Sequence, residues 1–240
     1  AVIRTEISTA SAPAAWQVES RVPEAVSTLR NAVALLDEAT PKLRESERER
    51  VGALKLAAEA RLDMLAQAPA ILAATVKAST AIPRAGEAWQ RAVEADRLTK
   101  QAVAQYNKLT RAGVRASRDL NKKAAAELAA AREGFEAAEK AFPEAGFETY
   151  LAYLDARVEL NRLSQQSDAA WLDGEFEKAN RLIRQYNEKD KRAVALARQL
   201  PASPSAAIAS AYEALAKAAT DEYYAARDRA TEADSKVRRF

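Results

Sequence analysis

The chain has no histidine and no cysteine among its 240 residues. Those two absences remove the Ser-His-Asp and Cys-His triads, the thiolate nucleophile and the Cys/His zinc site. The Glu-x-x-His pairs of four-helix diiron proteins go with them. Without cysteine the sequence carries no disulfide information about its compartment. Glycine is nearly as scarce: Gly52, Gly86, Gly113, Gly134, Gly146 and Gly174 stand alone, so no Gly-rich phosphate loop exists. No apolar run reaches the roughly 20 residues of a transmembrane helix, so no transmembrane segment is expected. Strand-type alternation is missing throughout, which predicts no sheet. Catalysis by carboxylates alone is left open, but nothing gathers carboxylates into an apolar setting. An enzyme is therefore not expected, and no cofactor or metal either.

What fills the chain is alanine, 59 of the 240 residues, with Leu, Glu, Lys, Arg and Gln. These are the strongest helix formers. Pro23, Pro83, Pro143 and Pro201 recur at intervals of 60, 60 and 58 residues, and the last two intervals hold no other proline. Proline suits the first turn of a helix and disrupts its interior, so the spacing reads as punctuation between long rods. A 58-residue rod would run about 85 Å at 1.5 Å per residue. The predicted fold is all-α, an elongated antiparallel bundle of three to four long helices broken near Pro23, Pro83, Pro143 and Pro201. Residues 1–22 read as a loose N-terminal segment or short helix carrying Trp16, and 23–240 as a single elongated bundle. Thr40-Pro41 and Pro69 add breaks or kinks to the first rod.

Apolar spacing of 3 and 4 marks one buried stripe per rod. In the second rod, about 84–141, it runs Tyr106, Thr110, Gly113, Ser117, Leu120, Ala124, Leu128, Ala131, Phe135, Ala138 and Phe142. The third, about 144–200, runs Phe147, Leu151, Leu154, Val158, Asn161, Gln165, Asp168, Leu172 and Phe176. Folding back at Phe142-Pro143 would set Asn161, Gln165 and Asp168 opposite Ser117, Asn121 and Ala124. That meeting is either a register-fixing polar layer or a drift of the stripe, and drift is the simpler reading. The pair Tyr106-Asn107 recurs as Tyr186-Asn187, with Trp89 and Trp171 upstream. The tryptophans read as rod-end or core anchors.

Charge is nearly balanced, at a formal +3. One departure stands out. Lys108, Arg111, Arg115, Arg118 and Lys122 are spaced 3, 4, 3 and 4, which puts five cations on one helix face. Between 97 and 123 the only acid is Asp119. The strip is a candidate anion- or partner-binding surface. Its simpler reading is a solvated face paired with Asp168, Asp173, Glu175 and Glu177 on the next rod. Without interleaved aromatics it does not suit single-stranded nucleic acid, and no nucleic-acid partner is expected.

Gly174-Glu175-Phe176-Glu177-Lys178-Ala179 resembles the turn and second-helix opening of a tetratricopeptide repeat, and Ala131, Phe135, Ala138 and Pro143 match that repeat's second half. Arg115, Arg118, Asp119 and Lys122 stand where the family places bulky apolar residues and glycine. About 125–200 is similar in texture to Ala-rich helical domains of bacterial periplasmic envelope lipoproteins. The resemblance implies a soluble, non-catalytic scaffold or protein-interaction module of the periplasm or cell envelope. The start at Ala1, without an initiator Met, fits either a removed signal peptide or a cut from a longer chain. The expected partner is a protein. The alternatives are a long-helix protein that uses the basic strip on anionic lipid or polyanion, and a helical-repeat peptide binder. If the repeat pattern held, Gly174 would break the third rod; by propensity a continuous or kinked rod is expected there.

Overall fold

The computed structural model describes residues 11–239, and the side chains of 11–17 and 19, Trp16 included, lie outside the described set. Six α-helices account for nearly all of it: α1 (Ser11–Ala39), α2 (Glu45–Tyr106), α3 (Arg111–Ala141), α4 (Glu148–Leu172), α5 (Phe176–Ala197) and α6 (Pro204–Val237). No strand occurs among the described residues. The all-α class is as predicted, but the described residues form six helices where three to four long rods were expected. Of the predicted N-terminal segment, residues 11–22 are helical.

The proline rule fails at two of its four marks. Pro23 lies inside α1, and Pro69 and Pro83 lie inside α2. All three are exposed, so the carbonyl that each ring deprives of its partner faces water, and good helix formers on both sides carry the helix through. Breaks occur where turn chemistry accompanies the ring. Thr40–Lys42 and Pro143–Ala145 are short 3₁₀ turns, and Gly146 follows the second with φ 65°. Two breaks need no proline. At 107–110 the chain turns through Leu109, φ 52°, and restarts when the Thr110 hydroxyl accepts from the Gly113 amide at 3.1 Å. At Gly174, φ 81°, the third rod ends, against the expectation of a continuous helix.

The chain divides into two units, Ala1–Ser79 with Ala211–Phe240, and Thr80–Ser210. In the first, alanines supply the close approach. Ala53, Ala57, Ala60, Ala74 and Ala78 on α2 and Ala216, Ala226, Ala230 and Ala233 on α6 are all buried. Arg61 pairs with Asp234 at 2.6 Å and Arg229 with Asp63 at 2.8 Å, so these stretches run antiparallel. By length and composition α2 is also long and apolar enough to cross a membrane, a property that owes much to its alanine content.

The second unit is an up-and-down arrangement of the last part of α2 with α3, α4 and α5. The turn around Pro143 caps an aromatic core. Phe135 stacks on Tyr150 at 4.8 Å, Phe147 lies 5.6 Å from Phe135, and Trp89 meets Tyr150 edge-on at 5.6 Å. Trp89 thus acts as the core anchor the sequence suggests. A methyl on Gly134 would meet the Ala88 Cβ at 2.8 Å, so α2 and α3 touch nearly backbone to backbone. A clamp ties the middle: Arg157 of α4 pairs with Asp96 of α2 and, at 3.8 Å, with Asp190 of α5, while the Tyr153 hydroxyl donates to Asp96 at 2.9 Å.

Candidate functional site

The predicted stripe of α3 is buried almost residue for residue: Gly113, Ser117, Ala124, Leu128, Ala131, Phe135 and Ala138. The corresponding face of α4 brings Asn161 and Asp168 against it. The polar meeting is therefore a hydrogen-bonded layer, and the drift reading is corrected. Asp168 is 1% exposed, and the Ser117 hydroxyl donates to its carboxylate at 3.1 Å from either oxygen. Asn121 Nδ2 donates to Oδ2 of Asp168 at 2.9 Å. Asn161 Nδ2 donates to the Asn121 carbonyl at 3.0 Å, and Gln165 Nε2 donates to Asn161 Oδ1 at 2.7 Å.

This layer floors a cavity of about 210 Å³ lying among the four helices, toward the turns at 107–110 and 173–175. The floor is Ser117, Asn121, Ser167 and Asp168, all buried. Tyr106 from α2 and Tyr186 from α5 stand half-buried in its walls. Val103, Leu163, Leu182 and Ile183 complete the apolar lining, and exposed Asn107 and Asn187 form the rim. The recurrent Tyr-Asn pair is explained by this arrangement, since both copies line one cavity from different helices.

Electrostatically the floor is an acceptor site. Burial pushes the Asp168 carboxyl up to about 6, while the Asn121 and Ser117 hydrogen bonds and the Arg118 charge pull the other way. The group is thus ionised near neutral pH in an apolar setting. Arg118 does not reach it as an ion pair, and its Nε is buried without a partner. Asn121 Oδ1 is likewise buried without a partner. Its orientation is forced, because Nδ2 must face the carboxylate and Oδ1 is left over. One carboxylate held by two donors can anchor a ligand's donors, and it can accept a proton.

The basic strip runs along the opposite side of α3. Lys108, at the turn before the helix, and Arg111, Arg115 and Lys122 are exposed, and Arg118 is half-buried. Among the described residues none of the five forms an ion pair. Of the acids expected opposite, Glu175 pairs with Lys178 at 2.6 Å, and Asp168 is buried in the cavity floor. The expectation of a paired face is corrected on that point. Sequence reasoning missed the cavity itself because it depends on the breaks at 107–110 and Gly174, which bring four helix ends together. Its local traces are the recurrent Tyr-Asn pair and Thr110, whose hydroxyl caps α3 after the turn. Comparison of the chain with protein-family models, with curated proteins and with solved structures finds no match.

Proposed function

We propose that the chain is a non-catalytic binding module whose second unit holds a small ligand in the cavity among α2, α3, α4 and α5. The observation that carries the reading is the floor: a carboxylate buried in an apolar, tyrosine-walled cavity beside an unsatisfied amide oxygen. Buried acceptors without donors are costly, and cavities of apolar lining with a few convergent polar groups are where small ligands bind. At about 210 Å³ the space suits a ligand smaller than a drug molecule. Against a catalytic role, Asp168 has no second acid or base among the residues lining the cavity. A thermal-shift screen of charged and neutral fragments tests the reading, run on the wild type and on Ser164→Phe, which fills the cavity from α4. Fragments should stabilise the wild type and not the variant. No stabilising fragment, or equal effects on both, would overturn it.

A second reading is favoured by the open strip, which supports docking of an anionic lipid surface as a part of the envelope role the sequence suggests. Vesicles rich in anionic lipid should bind the chain with steep salt dependence, and neutralising Lys108, Arg111 and Arg115 together should abolish that binding without lowering Tm. Weak, salt-insensitive binding would remove the reading.

A further inference from the structure

The cavity floor also states which charge its occupant carries. Two acceptor groups with three oxygens, the Asp168 carboxylate and Asn121 Oδ1, belong to the floor residues and are under-supplied with donors. Asp168 offers two carboxylate oxygens against one shared hydroxyl and one amide. Asn121 Oδ1 has no donor at all. Arg118 lies close enough for its charge to act on the carboxylate but makes no ion pair with it. Above the floor stand Tyr106 and Tyr186, whose ring faces attract positive charge, within aliphatic walls. A neutral ligand would leave the carboxylate uncompensated, and an anion would be repelled by it. A quaternary ammonium would satisfy the charge but leave Asn121 Oδ1 without a donor.

Resting on the reading of the cavity as a ligand site, we propose that its occupant is a small primary ammonium compound with an apolar body. The ammonium group donates to Asp168 and Asn121 Oδ1, the two tyrosine rings flank the charge, and the apolar body lies along Leu182 and Ile183. Size limits the class to short alkyl- or arylalkylamines.

The test is calorimetric titration of the full chain at pH 8, with four probes: 2-phenylethylammonium, trimethyl-(2-phenylethyl)ammonium, 2-phenylethanol and 3-phenylpropanoate. Expected is saturable binding of the primary ammonium, weaker binding of the quaternary compound, and none of the alcohol or carboxylate. Asp168→Asn should weaken the primary ammonium by about tenfold or more while the helical signal is kept and Tm does not fall. Arg118→Gln should tighten it, because a like charge near the site is removed. Binding of the alcohol or carboxylate as strong as that of the amine would overturn the cation assignment and leave the cavity reading standing. So would amine binding unchanged in Asp168→Asn or weakened in Arg118→Gln. Binding of no probe, together with a blank fragment screen, would overturn both.

Discussion

Asp168 is a carboxylate whose surroundings are far from what its type prefers. Its carboxyl titrates at about 6 when folded, against an ordinary 3.8, because burial disfavours the charge. The folded chain therefore holds this proton more tightly than the unfolded chain. Stability from this group is fully present below pH 3.8 and is lost as pH rises through 6. The loss amounts to about 3 kcal/mol at most. Tyr106 and Tyr186 face the group across the cavity, and the charge of Arg118 limits the loss. Urea unfolding of wild type and Asp168→Asn from pH 4 to 7.5 isolates the effect from other carboxylates. The variant should gain on the wild type by about 2–3 kcal/mol as pH rises. A difference that stays flat would contradict the burial account. The sequence showed Asp168 in the α4 stripe facing Ser117. It could not show that the carboxylate would be enclosed, because enclosure comes from α2 and α5.

At the level of elements, helix breaks follow local turn chemistry more closely than proline position. Gly174 turns with φ 81° and no contact to restrict a side chain, so Gly174→Ala adds left-handed strain of roughly 1–2 kcal/mol and should lower stability by that amount in chemical denaturation. A neutral or stabilising result would mean that α4 and α5 form one rod. Gly134 is the opposite case. It sits in ordinary helix, but a methyl there would collide with Ala88, so Gly134→Ala should cost about 1–3 kcal/mol through overpacking. The Arg157 clamp is a third element-level test. Its side chain is 15% exposed and serves acids from two helices. Arg157→Ala strands Asp96 and should cost about 2–4 kcal/mol, checked by thermal unfolding; a loss under 1 kcal/mol would show the clamp to be dispensable. Helix identity and the α3 stripe were legible because a 3–4 period survives any tertiary arrangement. The proline marks at 23 and 83 misled because exposed rings leave their carbonyls to water. The turn at 107–110 was hidden by good helix formers on both sides.

On the scale of the whole chain, two units share a helical vocabulary and differ in how they pack. The first relies on alanine, as at Ala226, Ala230 and Ala233, and its exposed ion pairs contribute little each. The second concentrates the bulky residues, with Phe135, Phe142, Phe147 and Tyr150 all but fully buried toward the turn around Pro143. That leaves small and polar side chains, Ser117, Asn121 and Ser167, to line the space toward the other turns. The cavity is thus a consequence of where the aromatic residues were placed. The central claim is that this space receives a ligand, and amide chemical-shift mapping of the full ¹⁵N-labelled chain with 2-phenylethylammonium tests it most directly. The account expects saturable shifts clustered at Asn121, Ser164, Ser167, Asp168 and Asn187, with Lys108, Arg111 and Arg115 unmoved. Shifts confined to residues outside the cavity, or none at saturating probe, would contradict it.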